Sequence, residues 1–509
     1  MRLPDISTLR RFSWLGVFAF LFHLNASAAQ PVWILLAAPD LHPAMDELIA
    51  KRRSENYRVV VLDSALASDP EKATGAIKEA AGTEDGQVIV LLAGTSDPQA
   101  PGGVKLPAPR GTQGRMKKLP SDHGFSLGGS GGMPRAAVGR LPARSAEEVR
   151  GMATKIMAFE KPEGEAAWRT RITALIGHPG GGTPLERTLG ANYVNSAVGT
   201  RIRSLHPRWR TQIMADVPGS PWLLEKPKLE QEFLKEVGAG TLFFLYMGHS
   251  GPSGLYSDGL SFMETPAWAK AGFPHGGVFF SCGCFSLSPQ TARQEGHGFT
   301  AMRNSRGPAA VIGAVGESYS AAGQLAFDGL LTLLQKEEPP ALLADCWLAA
   351  MKGLTSGKID AISFGMLDMA DGSGGKVPLD DQRKEHVEMW QLLGDPAMRL
   401  PVLPASVKLE VQDQAAPGGK ISITGKIPPG GRNRVVLTVE RPPGETAPGA
   451  NHAAANNAVV ETIRITAQDV SFSASATVPS DYTGESIILR AMVEDSGAMG
   501  VLRIKVQKP

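Results

Sequence analysis

The sequence predicts two α/β subdomains built on a mostly parallel sheet, followed by an immunoglobulin-like β-sandwich. Three observations carry that prediction. Continuous apolar runs bounded by turn residues recur as far as Ile312, as strands of a doubly covered parallel sheet do. Helical patterns alternate with them. After Pro401 the runs become short and largely alternating, the texture of strands buried on one face only.

Taken in chain order, Val32–Ala37, Val59–Leu62 and Val88–Leu92 read as strands, with helices at Leu41–Arg53 and Pro70–Ala81 between them. Asp69 before Pro70 supplies an N-cap and a proline at the first helical position. Residues 94–134 are crowded with Gly, Pro, Ser and Lys, too long a stretch for an ordinary connection, which reads as a functional or mobile loop. After a helix at Ala146–Glu160, the Lys161-Pro162-Glu163-Gly164 break divides residues 29–163 from 164–402. Strands at Ile172–Ile176, Leu242–Tyr246, Gly277–Phe280 and Ala309–Ile312 build the second subdomain, with helices at Pro227–Val237 and Gly323–Gln335. Short strands from Ser406–Val411 to Val501–Val506 fill 403–509, and low-complexity Thr446–Asn457 reads as a loose hairpin loop.

Composition narrows the function. Lys+Arg 52 against Asp+Glu 50 leaves a net charge of +2, so no global charge points to nucleic acid. Hydrophobic residues at 42% and charged residues at 20% exclude wholesale disorder. Three cysteines exclude a disulfide scaffold and leave at least one thiol unpaired. Arg2, Arg10 and Arg11 precede the apolar run Trp14 to Leu24 and the small residues Ala26-Ser27-Ala28, so residues 1–28 read as a secretory signal peptide. The mature chain is then secreted, periplasmic or at the cell surface. No later apolar run approaches the ~20 residues of a membrane span. The first mature strand follows cleavage almost at once, leaving no room for an N-terminal pro-domain.

Two segments carry chemistry. Leu242 to Gly251 is an apolar strand that ends in Gly248-His249-Ser250, and Gly276 to Phe285 is another that ends in Ser281-Cys282-Gly283-Cys284. Ligands of open α/β sheets bind beyond the carboxyl ends of the strands, so neighbouring strands would set His249 beside Cys282. A thiol is weakly ionised at neutral pH, and a nearby imidazole generates the thiolate. Small residues leave backbone N–H groups open to an oxyanion.

This pattern resembles the gingipain-like cysteine peptidases, which share a caspase-like fold. The resemblance rests on Gly248-His249 and Ser281-Cys282, whose His and Cys lie 33 positions apart. It extends to Gly139-Arg140-Leu141, Ala309 to Gly313 and Leu393-Gly394-Asp395-Pro396 ahead of the sandwich. It implies Cys282 as nucleophile, His249 as general acid/base and an oxyanion hole from the N–H groups of Ser250 and Cys282. It implies protein or peptide substrates, and it is the sole basis for a structural calcium ion, since no loop has EF-hand spacing. The chain departs from the family where Ser250 replaces a glycine and where Gly177-His178-Pro179-Gly180 lacks an orienting carboxylate. The acid behind the Arg preference of some members has no clear equivalent; Asn192 falls nearest.

Cys284 is the alternative nucleophile, with a turn after Gly283 expected to expose only Cys282. Cys346, in an apolar helical stretch, reads as core. Glu317, Asp216 and Glu264 are candidate pocket carboxylates, and His178 reads as a surface-loop residue. A zinc site from Cys282, Cys284, His249 and His297 lacks zinc-like spacing, and no metal is required for the chemistry. No phosphate loop or dinucleotide fingerprint appears, so no cofactor is called for. Two functions follow: a secreted cysteine endopeptidase acting through a Cys–His dyad, or a catalytically inactive relative that binds proteins or glycans.

Overall fold

The computed structural model describes residues 30–507, other than 84–85, 97–103, 163–165, 181–182, 290–294, 372, 412–413, 430–432, 447–448 and 495–496. Residues 1–28, read from the sequence as a signal peptide, lie outside the described residues. The first subdomain contributes β1 (Val32–Ala37), β2 (Arg58–Val61), β3 (Val88–Ala93) and β4 (Ala136–Leu141). The second begins with β5 (Arg171–Ile176), β6 (Arg210–Ala215) and β7 (Phe243–Met247). A small antiparallel sheet of β8 (His249–Gly251), β9 (Gly254–Ser257) and β10 (Leu260–Phe262) follows. Then come β11 (Val278–Cys282), β12 (Ala310–Ala314) and β13 (Trp390–Leu393).

Ten of these strands form one sheet in the order β2-β1-β3-β4-β13-β12-β11-β7-β5-β6. Only the β12–β13 pair is antiparallel. Every residue of β1, β3 and β4 is buried, as a parallel sheet with both faces covered requires. The period of two separates the faces. Trp33, Leu35, Ile89 and Leu91 enter the main core, while Val32, Ile34, Val88 and Val90 enter a second core on the opposite side.

The helices are α1 (Asp46–Ser54), α2 (Pro70–Ala81), α3 (Ala146–Glu160), α4 (Pro184–Ser204), α5 (Leu229–Gly238) and α6 (Thr265–Lys270). Then follow α7 (His297–Arg303), α8 (Ser320–Leu334), α9 (Leu343–Ser356), α10 (Ala361–Ala370) and α11 (Leu379–Met389). Asp69 caps α2 by accepting the Lys72 N–H at 3.1 Å.

The two subdomains meet at β4 and β13. Leu393 pairs with Arg140, and the Gly394 N–H reaches the Arg140 carbonyl at 2.9 Å. Gly139 is small because a Cβ there would collide with Gly394 O and the Pro396 ring. The next residue, Asp395, is fully buried and accepts Trp33 Nε1 at 3.1 Å and Arg52 Nε at 2.8 Å. The Gly-Arg-Leu and Leu-Gly-Asp-Pro motifs are thus the two halves of one seam. Arg140 is itself buried, and its guanidinium binds Asp122 at 2.6 and 2.9 Å and the carbonyls of Gly94 and Leu106. The described part of segment 94–134 is therefore anchored, against the expectation of a mobile loop.

The C-terminal strands are β14 (Lys408–Val411), β15 (Lys420–Lys426), β16 (Arg434–Glu440), β17 (Val459–Thr466), β18 (Ser471–Thr477), β19 (Ser486–Val493) and β20 (Met499–Lys505). They form two antiparallel sheets, β14-β15-β18 and β17-β16-β19-β20, around one apolar core. The described residues toward the end of 446–457 form a helix rather than the predicted loose loop. Their helix α12 (His452–Asn456) brings the Asn456 amide against the edge strand β6, accepting Ile213 N–H at 2.7 Å and donating to Ile213 O at 2.8 Å. A side chain thus satisfies backbone groups that an edge strand would leave unpaired.

Candidate active site

Strands β7 and β11 lie side by side in parallel, with Cys282 opposite Met247 as the last pair. His249 lies two residues beyond Met247, so both strands deliver their reactive side chains to the same sheet edge. Both line one cleft of ≈ 230 Å³, whose floor and walls also include His178, Glu317, Tyr319 and Gln324. Cys282 is half-buried, with Sγ 3.7 Å from the Gly323 carbonyl in the first turn of α8. Burial, with a smaller contribution from Asp328, pushes its thiol well above the usual value.

His249 is exposed, and its backbone is fixed from beneath. The buried Tyr246 hydroxyl donates to His249 O at 2.5 Å and lies 3.2 Å from Tyr256 O. Gly180, at φ +81°, has no Cβ to intrude on His249 Nε2, which would then be 3.2 Å away. Among the described residues no carboxylate is hydrogen-bonded to the His249 ring.

A network of buried hydroxyls ties the loop after Cys282 to the segment after His249. Ser250 donates to Cys284 O at 2.6 Å and lies 3.4 Å from Ser286 Oγ, which meets Ser281 Oγ at 2.7 Å. Gly283 is required there, since a Cβ would fall on the Ser250 hydroxyl. Phe285 takes φ +54°, a costly conformation for an aromatic residue, and its N–H is held by Gly316 O at 2.9 Å.

Several sequence expectations change here. Both Cys282 and Cys284 border the cleft, so the turn does not hide the second thiol. They differ in surroundings: Cys284 Sγ accepts the Ser318 N–H at 3.4 Å and touches its hydroxyl, whereas Cys282 stands at the strand end beside α8. Cys346 is buried core, as predicted. Asn192 is exposed on α4 and outside the cleft lining, and Glu264 is exposed and bound to Ser261. Asp216 is buried and outside the lining too. Its carboxylate accepts Ser257 Oγ at 2.7 Å, and Ser257 Oγ accepts the His178 N–H at 2.8 Å. Its carboxylate is thus engaged in holding the turn at Ser257 and His178.

Glu317 does reach the cleft, but at its rim, where Arg115 from the 94–134 segment binds it at 3.0 Å and stacks 4.1 Å from the Tyr319 ring centre. His178, read from sequence as a surface residue, is buried and lines the cleft. Tyr246, Gln324 and Arg115 carried no sequence signal, because their roles depend on contacts across distant segments. Among the described residues no three His, Cys, Asp or Glu side chains gather as metal ligands.

A mostly parallel sheet with His and Cys at neighbouring strand ends, over one cleft, defines a cysteine-peptidase class of α/β protein. The chain belongs to peptidase family C25, whose model matches residues 26–401. It is accordingly a cysteine-type peptidase. Its fold is similar to that of the Arg-specific cysteine proteinase gingipain R, with TM-score 0.54 and 13% identity over 94% of this chain and 98% of that one. A second solved structure, described only as a protease, matches with TM-score 0.52 and 12% identity over 94% and 97%. No curated protein matches the sequence. No helix among the described residues is long and apolar enough to cross a membrane.

Proposed function

We propose that the protein is an exported endopeptidase in which Cys282 is the nucleophile and His249 carries the proton. The observation that supports this most directly is the Cys282–Met247 register, which brings both residues to one cleft. Burial disfavours the thiolate, and in this reading His249 takes the thiol proton as sulfur attacks the peptide carbonyl. The backbone N–H groups of Ser250 and Cys282 are the oxyanion donors in this reading. Collapse of the tetrahedral species breaks the C–N bond, and imidazolium protonates the leaving amine. Water, deprotonated by His249, then attacks the thioester and restores the thiol. Export rests on the charged and apolar pattern of residues 1–28, and the C-terminal sandwich is read as immunoglobulin-like.

The test is covalent labelling of the mature chain with a mixture of peptide ketone electrophiles, followed by peptide mass mapping. An adduct on Cys282 that disappears in His249→Ala supports the dyad. An adduct on Cys284 instead, or none while iodoacetamide still alkylates Cys282, overturns it. The same chemistry does not favour an inactive binding module, which would need no thiol at a strand end.

A further inference from the structure

An apolar cavity of ≈ 70 Å³ lies directly beneath the cleft, between the sheet, α4 and α8. Ile176, Val194, Met247, Gln324 and Leu367 line both spaces, so the two adjoin across these side chains. The shared residues touch the reacting sulfur's surroundings from two sides. Met247 is the register partner of Cys282, and Gln324 follows Gly323, whose carbonyl is 3.7 Å from Cys282 Sγ. A side chain entering between Val194 and Gln324 would belong to a substrate residue next to the attacked carbonyl.

We propose that this cavity receives the side chain preceding the cleaved bond, and that it selects an aliphatic or thioether side chain over a basic one. The inference rests on Cys282 being the nucleophile. None of the described residues lining the cavity is acidic. Its one charged lining residue is Arg201, already engaged by Asp328, including a bond of 2.8 Å from Nη2 to Oδ2. The Tyr193 hydroxyl is likewise spent on Gln324 Oε1 at 3.0 Å. A lysine or arginine side chain would be desolvated there with no anion to meet it and with a like charge at the far end. An apolar side chain loses nothing polar. At about half the ~150 Å³ that admits a benzene ring, the space suits the branched or unbranched chain of Leu, Val or Met.

The carboxylates of the cleft do not reverse this. Glu317 is held by Arg115 at the rim, and Asp371 accepts the Ser320 N–H at 2.7 Å and binds Ser373. The walls point the same way. Helices α4 and α10 contribute the apolar Val194 and Leu367 to both the cleft and the cavity.

The experiment compares second-order rates of Cys282 labelling by acyloxymethyl ketones that differ only in the residue beside the reactive carbon: Leu, Met, Val, Arg or Lys. Adduct position is read by mass mapping. Leu or Met is expected to label at least about 100-fold faster than Arg or Lys, the discrimination expected when a charge must enter an unpaired apolar site. Val194→Asp, which sets a carboxylate at the cavity mouth, is expected to narrow that ratio at least about tenfold. Should it fold poorly, Ala197→Leu, which fills the cavity, is expected to slow the Leu and Met reagents selectively. Equal or faster labelling by Arg or Lys on Cys282 overturns the apolar pocket and leaves the dyad standing. Absence of Cys282 labelling by every reagent overturns the catalytic reading on which the pocket depends.

Discussion

Replacing Glu440 by Gln should unfasten the C-terminal sandwich from the catalytic sheet. Glu440 ends β16 with 2% exposure, and its carboxylate accepts Arg490 Nη2 at 3.0 Å, Arg210 Nε at 3.0 Å and Thr438 Oγ1 at 2.7 Å. Arg490, equally buried, turns its other N–H groups to the carbonyls of Arg208 and Pro207 at 2.7 and 2.8 Å, so one ion cluster joins the two domains. Burial alone would raise the Glu440 pKa, but Arg490 and then Arg210 outweigh it and hold the carboxyl down at about 2 against 4.5. At ~1.4 kcal/mol per unit that is about 3 kcal/mol, near the ~3–5 kcal/mol lost when one partner of a buried pair is removed. The folded pKa is depressed, so this stability is present above about pH 4.5 and disappears as pH falls toward 2. Urea unfolding of Glu440→Gln should therefore show a loss of about 3 kcal/mol at neutral pH that shrinks steadily below about pH 4.5. Hydrogen exchange should show β16 and β19 opening first. A neutral-pH loss under about 1 kcal/mol, the worth of an exposed pair, would refute the reasoning, as would a loss that stays constant down to low pH.

Tyr246→Phe removes the donor to His249 O, and should cost about 1–2 kcal/mol while lowering kcat more than it raises KM; an unchanged kcat in steady-state assays would show that this hydroxyl does not position the histidine. Arg140→Met leaves Asp122 without its cation and should cost about 3–5 kcal/mol, with faster tryptic cleavage at exposed Lys117 and Lys118; unchanged cleavage would mean the segment is anchored elsewhere. His297 is fully buried, and burial lowers its pKa to about 4 although the carbonyls of Gly251 and Pro252 pull the other way. The fold thus favours the neutral ring, and stability should fall by about 3 kcal/mol as pH drops from 6.5 toward 4. His297→Gln should flatten that slope in urea titrations, and an unaltered slope would assign the acid sensitivity to other groups.

How much of this was legible beforehand varies by element. β1, β3, β7 and β11 were readable because burial on both faces demands uninterrupted apolar runs, and no nearby polar residue blurs them. β4 was missed because its short apolar stretch ends in Gly139-Arg140; a buried arginine looks like surface until Asp122 is seen to neutralise it. β6, a sheet-edge strand beginning Arg-Thr-Gln, lacks an apolar run because Asn456 and the sandwich, rather than another strand, cover it. The His249 and Cys282 positions were visible as strand ends among small residues. Their neighbours were not: His178 looked like loop, and Asp216 looked like a pocket acid, until Ser257 bound its carboxylate.

The division has a physical basis. Apolar period, caps and strand-end glycines are local properties, written within a few residues, and by themselves they determined the layered α/β order, the sandwich and the placing of His249 and Cys282 near strand ends. Which charges are spent and which cavity adjoins the thiol depends on side chains brought together from segments far apart in the chain. Arg115 reaches Glu317 from 202 positions away, and Asp395 reaches Trp33 from 362. Only the folded sheet sets those distances, and with them the half-buried thiol of Cys282 and the apolar space that adjoins its cleft.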